Sequence, residues 1–412
     1  MRLVVKQSEP LYGDVNIGGS KNSALPIMAA SVLSGCRNVV KGIPRLADTE
    51  YMKSILKELG CRIDGDVYDS SRIYSYDAPY ESVKKLRGSF LLAAPVLARM
   101  GRARIPLPGG CPIGTRPIDL HLKGFQQMGA TVDVLHGVVD LKCKRLKGSK
   151  IYLDFPSVGA TENLIIAAAT AKGETIIENS AEEPEIYDLC DFLNKQGADI
   201  TINGGGTISI RGVDDLCGCE HKIIPDRIEA GTFLLAFAVT HGHGRIKNFI
   251  GEHQKPLIAK LEEMGVRIYC RENECIIDAK NDIISSSIKT LPYPGFPTDM
   301  QAQFMALLSS SKGTAMVVET VFENRFLHVG ELTRMGASIR LDGRTAVVQG
   351  VERLMGTKVE ALDLRGGAAL ALAALSAEGE TQIEGAEHIF RGYENFSEKL
   401  NKIGAKTEYL SE

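Results

Sequence analysis

The chain has 412 residues, 44% hydrophobic and 24% charged, with a formal net charge of −3. That length exceeds one ordinary core and suggests two domains of similar size, and the near-neutral balance offers no bulk positive field for nucleic acid. No apolar run approaches the ~18 residues of a membrane span, and the apolar run in Met1–Lys6 is too short for a secretory leader.

Taken in chain order, one pattern recurs. A helix-like stretch ending in Gly, usually followed by Ala and a strand-like run, closes at Gly60, Gly129, Gly197, Gly265, Gly336 and Gly404, spaced about 70 residues apart. Each unit opens with an Ala-rich, nearly all-apolar helix: Ala24–Leu33, Phe90–Ala98, Leu164–Ala171, Gly231–Val239, Met300–Leu308 and Ala368–Ala377. A helix apolar on every side is a buried one. A strand opened by Gly follows, as at Gly173–Ile177 and Gly379–Ile383.

Next comes an amphipathic helix with one apolar stripe at i, i+3, i+4 and i+7. Met52, Ile55, Leu56 and Leu59 mark one such stripe; Ile186, Leu189, Cys190 and Leu193 another; Phe396, Leu400 and Ile403 a third. The terminal Gly is the expected C′ residue, able to take positive φ. A hairpin follows, clearest over Ala198–Ile210, and a last strand leads into the next buried helix.

The sixth unit stops after Ala405–Leu410, and the two strands it lacks resemble Leu3–Lys6 and Val15–Ile17. Residues 1 to about 19 are therefore expected to complete the C-terminal set. The expected domains are 20–224 and 1–19 plus 225–412, three units each, with a ligand cleft between the halves.

The buried helices begin with polar residues: Ser20-Lys21-Asn22, Arg87-Gly88-Ser89, Gly159-Ala160-Thr161, Asp226-Arg227, Pro297-Thr298-Asp299 and Asp363–Gly367. Two readings stand. Ser20, Asp226, Asp299 and Asp363 are plain helix caps, or the helix N-termini form an anion site. A cation at a helix N-terminus opposes the dipole unless an anion joins it, so Lys21, Arg87 and Arg365 point to a multiply negative ligand.

The second unit carries an extra Pro/Gly-rich loop, Pro106–Pro117, of the kind that serves as a lid. Cys111 at its centre is either an incidental exposed thiol or a reactive one, with Arg116 near enough to favour the thiolate. Nine Cys in a chain without a secretory signal fit reduced thiols in the cytoplasm. Cys217 and Cys219 lack a second pair at zinc spacing, so neither a metal nor another cofactor is expected.

Long motifs in order carry a resemblance that covers essentially the whole chain. They are Gly18–Pro26, Leu107–Pro117, Ser157–Thr161, Pro225–Glu229, Phe296–Gln303, Glu319–Arg325, Asp363–Arg365 and Arg391–Tyr393. With these the chain resembles the UDP-N-acetylglucosamine 1-carboxyvinyltransferase family of enolpyruvyl transferases. The resemblance implies an α/β fold of two inside-out α/β domains, each of three βαβαββ repeats. It implies transfer of the enolpyruvyl group of phosphoenolpyruvate to the 3′-hydroxyl of UDP-N-acetylglucosamine, with release of phosphate, as the first committed step of peptidoglycan synthesis.

It further implies roles for individual residues. Cys111 would be general acid to the methylene carbon and the thiol alkylated by fosfomycin, and Asp299 the base near the sugar hydroxyl. Lys21, Arg116 and Arg391, aided by Arg365, would hold phosphoenolpyruvate. Asn22, Arg87, Arg116, Pro117, Ile118, Asp119, Leu120, Phe155, Pro156, Ser157, Val158, Asp299 and Val321 would bind the nucleotide sugar, with Asp363 a supporting carboxylate. Some members carry Lys ahead of the Ser-Val-Gly motif where this chain has Phe155-Pro156, a departure that bears on one ionic contact to the nucleotide. Two rival readings share the fold: 5-enolpyruvylshikimate-3-phosphate synthase, which lacks the Gly-Gly-Cys loop, and a catalytically weak paralogue that binds nucleotide sugar, for which Cys111 would have no use.

Overall fold

The computed structural model describes residues 1–107, 113–114 and 117–410. It is a mixed α/β protein in two compact units. One contains residues 1–18, 113–114 and 225–410; the other contains residues 19–107 and 117–224. Residues 113 and 114, from the Pro/Gly-rich loop, therefore group with the unit that begins again at Pro225. The Ile113 carbonyl accepts from the Asn324 N–H at 3.0 Å. A Cβ on Gly114 would stand 2.3 Å from Glu323 Oε2, so the Glu323 carboxylate packs against this backbone.

Six helices form the two cores, and each is nearly all apolar as the sequence predicts, with a few buried polar side chains such as Glu162, Asn163, Thr232 and Gln303. They are α1 (Lys21–Ala30), α2 (Ala93–Met100), α3 (Val158–Ala168), α4 (Arg227–Val239), α5 (Gln301–Ser310) and α6 (Leu364–Ser376). Their interiors are Ala- and Leu-rich, which lets helices pack closely with little side-chain entropy lost. The amphipathic helices lie outside them. In Ala47–Leu59, for instance, Met52, Ile55, Leu56 and Leu59 are buried while the opposite face is wet. All six terminal glycines of the repeat are left-handed, with φ between 91° and 111°.

Among the described residues each unit holds three small sheets. Five of the six are mixed, and the remaining one, built on Arg102–Pro106, is three-stranded and antiparallel, with an isolated parallel bridge from Asp77 to Arg104. A sheet begins with the strand after a buried helix, pairs it antiparallel with the second strand of the following hairpin, and adds one short parallel strand on its other side. That parallel strand comes from the end of the preceding repeat: Lys150–Tyr152 lies beside Glu174–Glu178, and Lys358–Glu360 beside Glu380–Glu384. The ring closes within each unit, because Glu220–Lys222 returns to Arg37–Lys41.

The N-terminal strands do the same for the other unit, as the two strands that the sixth repeat lacks. Arg2–Lys6 completes the sixth sheet, antiparallel to both Glu380–Glu384 and Lys406–Leu410. Tyr12–Asn16 is the last strand of that repeat and lies parallel to His243–Lys247 in the fourth sheet. Its sequence neighbour in the ring is the fourth repeat, so it plays the role that Lys150–Tyr152 plays for the third.

Leu3 is fully buried opposite Ile383 and Tyr409, at the centre of that sixth sheet. Leu3→Ala should cost about 2–5 kcal/mol, the usual range for a buried Leu truncation. A lowered urea midpoint for the unit containing residues 225–410 checks this; an unchanged midpoint would mean that the first strand adds nothing to the core.

Candidate active site

The first turn of α1 presents Lys21 and Asn22. Ser20 caps the helix, its hydroxyl accepting from Ser23 N–H at 3.3 Å. Lys21 is 9% exposed, and its ammonium meets Asp48 Oδ2 at 3.3 Å; Asn22 is half-buried. Asp48 comes from the first turn of the amphipathic helix Ala47–Leu59. In the sequence it reads as an ordinary helix-start acid, and nothing in the periodicity marks it as the lysine's partner.

Arg87 opens a 3-10 turn, Arg87–Leu92, that runs into α2. A Cβ on Gly88 would lie 3.2 Å from Leu25 Cδ1, so this turn packs directly against α1. Beside it is His121, which sequence reasoning missed. Its Nδ1 is 2.8 Å from Asn163 Nδ2, and its ring meets Phe90 edge-on. Burial, with Arg87 adding to it, pushes the His121 imidazole down to about 3. A neutral ring accepts at Nδ1 from the Asn163 amide, which also donates to the Phe90 carbonyl.

Ser157 caps α3 by accepting from Ala160 N–H, and a Cβ on Gly159 would stand 3.3 Å from His121 Cε1. Arg87, His121 and the Ser157–Gly159 turn thus share one neighbourhood. Phe155 is exposed, and Pro156 and Val158 are half-buried. Pro117 and Asp119 are exposed, with Ile118 and Leu120 half-buried against the core of this unit. Further along α3, burial and the neighbouring Glu185 and Glu183 raise the Glu162 carboxyl well above its ordinary range.

The second group of candidates lies in the unit of α4–α6. Asp299 sits in a 3-10 turn, Thr298–Met300, ahead of α5. It is not a simple cap. Arg325 Nη2 donates to Oδ1 at 2.7 Å, while Arg365 Nε and Nη2 donate to Oδ2 at 3.3 and 3.0 Å. The two guanidinium side chains are 4% exposed and the carboxylate 24%. Burial would lower the Arg365 guanidinium, but Asp299, Tyr393 and Asp226 outweigh it and hold it above its ordinary value.

The Arg365 guanidinium lies over the Tyr393 ring at 5.4 Å. The Tyr393 hydroxyl in turn bonds Thr232 and Gln303 at 2.9 and 3.0 Å. Arg365 Nη1 is buried with no hydrogen-bond partner among the described residues, and so are both ring nitrogens of His328. Burial pushes the His328 imidazole down to about 4.

Asp363 does cap α6, its Oδ1 accepting from Arg365 and Gly366 N–H at 2.8 and 3.0 Å. Ser20 and Asp226 are caps as well, so the cap reading holds for these three helix ends. Glu319, fully buried, fixes Val321 by accepting its N–H at 2.8 Å. Arg391 ends the 3-10 turn Ala386–Arg391 and is half-buried. Cys111 and Arg116 lie outside the described residues.

Comparison with known proteins agrees with this architecture. A family model described as EPSP synthase (3-phosphoshikimate 1-carboxyvinyltransferase) matches residues 5–400. UDP-N-acetylglucosamine 1-carboxyvinyltransferase 1 of Caldanaerobacter subterraneus subsp. tengcongensis is 53% identical over 98% of both chains. UDP-N-acetylglucosamine 1-carboxyvinyltransferase 2 of Carboxydothermus hydrogenoformans is 52% identical over the full length of both. Among solved structures, the enolpyruvyl transferase NikO from Streptomyces tendae superposes with a TM-score of 0.88 at 26% identity, covering 99% of this chain and 98% of its own. EPSP synthase from Acinetobacter baumannii shares the fold, with a TM-score of 0.74 at 16% identity over 99% of this chain and all of its own. Identity above one half over nearly the full length places the chain with the first group. The chain belongs to the enolpyruvyl transferases, in the family of UDP-N-acetylglucosamine 1-carboxyvinyltransferases.

Proposed function

We propose that this chain transfers the enolpyruvyl group of phosphoenolpyruvate to the 3′-hydroxyl of UDP-N-acetylglucosamine and releases phosphate, in peptidoglycan synthesis in the cytoplasm. The observation that carries this reading is 53% identity over 98% of a relative named for that activity. The 16% identity to an EPSP synthase speaks against the shikimate reaction.

The reaction proceeds by addition and elimination. The sugar hydroxyl adds to C2 of phosphoenolpyruvate as a proton enters at the methylene carbon, giving a tetrahedral adduct that holds both sugar and phosphate. Loss of a proton from the new methyl group and departure of phosphate restore the double bond. Cys111 delivers the first proton, and Asp299 takes the hydroxyl proton. Lys21, Arg116, Arg365 and Arg391 neutralise the phosphate and carboxylate and stabilise the leaving group. Asn22, Arg87, the 116–120 segment, the 155–158 segment and Val321 hold the nucleotide sugar.

The clamp on Asp299 supports this assignment. Both of its oxygens accept from guanidinium groups, and such a carboxylate is a poor base until one of them is released. An incoming phosphate or carboxylate competes with Asp299 for Arg365, and the exchange frees an oxygen for the hydroxyl proton. Asp363 commits one oxygen to the α6 cap, so only its other oxygen can take part in proton transfer.

Three measurements test the reading. Phosphate release from phosphoenolpyruvate should require UDP-N-acetylglucosamine and be absent with shikimate 3-phosphate; sugar binding without release would favour the paralogue that only binds. Lys21→Ala should lower kcat/KM by roughly 10²–10³ with the fold retained, as expected when one charged contact to the reacting group is removed. Mass spectrometry should find fosfomycin bound to the wild-type chain and none on Cys111→Ala; undiminished labelling would identify a different nucleophile.

A further inference from the structure

The strands Arg267–Arg271 and Glu274–Asp278 form a hairpin through the two-residue turn Glu272–Asn273, with Asn273 at φ 60°. Arg267–Arg271 is the edge strand of its sheet. Cys270 and Cys275 face each other directly in the register. The pair that closes a two-residue turn exchanges both of its hydrogen bonds, so the next pair inward is a non-hydrogen-bonded one. In such a pair the Cα atoms approach to about 4.5 Å, within the ~4.4–6.8 Å that a disulfide spans.

The side chains meet this condition. The two Sγ atoms are 3.4 Å apart and share a hydrogen bond. Cys270 is exposed, whereas Cys275 is fully buried. The Cys270 thiol donates to Cys275 Sγ, and the Cys275 thiol to the Ile276 carbonyl. Once Cys270 loses its proton the Cys275 thiol can turn to donate to it, so the contact between them lowers the Cys270 pKa, while the same contact and burial raise that of Cys275. An accessible, more acidic thiol beside a buried partner is the arrangement of an attacking cysteine and its resolving cysteine. The other described cysteines whose sulfurs hydrogen-bond do so to backbone carbonyls.

We infer that Cys270 and Cys275 form a reversible thiol–disulfide modification site, oxidised by low-molecular-weight disulfides. The Cys270 thiolate attacks a disulfide RSSR, giving a mixed disulfide and releasing RS⁻. Cys275, losing its proton, attacks the Cys270 sulfur and expels the second RS⁻. The chain thereby loses two hydrogens and two electrons, and RSSR leaves as two RSH. The sulfurs need only close from 3.4 Å to about 2.05 Å, without a change of strand register.

The test uses the full chain and oxidised glutathione, followed by alkylation of free thiols, trypsin and mass spectrometry. Cleavage after Arg267, Arg271 and Lys280 places the two cysteines on separate peptides, residues 268–271 and 272–280. The expected product is these two peptides joined through sulfur, and separated again by dithiothreitol. Cys275→Ser should accumulate the glutathione mixed disulfide at Cys270, while Cys270→Ser should leave Cys275 free. Recovery of both residues alkylated, or of wild-type Cys270 held as a stable mixed disulfide, would overturn the inference. Should the Ser variants fail to fold, the wild-type peptide map decides alone.

Discussion

A helix buried on every side can meet a ligand only at its ends, and this constraint governs the rest of the molecule. The six core helices are apolar along their length, so their first turns are the places where polar chemistry can reach the surface. Lys21 and Arg365 stand on such turns although both are nearly buried. A charge so placed is strongly destabilising unless paired, by several kcal/mol. Asp48 answers Lys21, and Asp299 answers Arg365 and Arg325 together. The counterions are therefore as much a part of the site as the cations.

The repeats also show where structure yields to chemistry. Four of the six core helices start with a side-chain cap: Ser20, Ser157, Asp226 and Asp363. The other two, in the second and fifth repeats, are entered through 3-10 turns that carry Arg87 and Asp299. Those turns have no capping side chain, and their polar residues are directed to other tasks. In Asp299 the carboxylate that could have capped α5 binds two guanidinium groups instead.

Much of this was legible in the sequence because it is local. The spacing of Gly60, Gly129, Gly197, Gly265, Gly336 and Gly404 follows from a helix end that needs positive φ, and the all-apolar runs follow from burial. The resemblance named Lys21, Asp299 and Arg365 by their motifs. What remained hidden depends on contacts between distant segments. Asp48 pairs with Lys21 and Asn163 with His121 only after the helices pack, and a lone helix-start acid or a lone histidine carries no sign of its partner. The span of the second N-terminal strand, Tyr12–Asn16 where Val15–Ile17 was expected, was hidden for the same reason. A short strand pattern states its period but not its neighbour, and parallel pairing with His243–Lys247 is set by the ring of repeats.

The borrowing of strands around each ring has a consequence for how the protein is made. All three sheets of the unit 19–107 plus 117–224 are built from its own strands, with Glu220–Lys222 the last piece to join Arg37–Lys41. Arg2–Lys6 emerges first yet must wait for Glu380–Glu384 and Lys406–Leu410, the latest strands to be synthesised. Throughout elongation its apolar face, Leu3 and Val5, has no native cover. Closing the sixth sheet thus joins segments from opposite ends of the sequence, a contact order among the highest the chain can make, and such long-range pairing is slow to form.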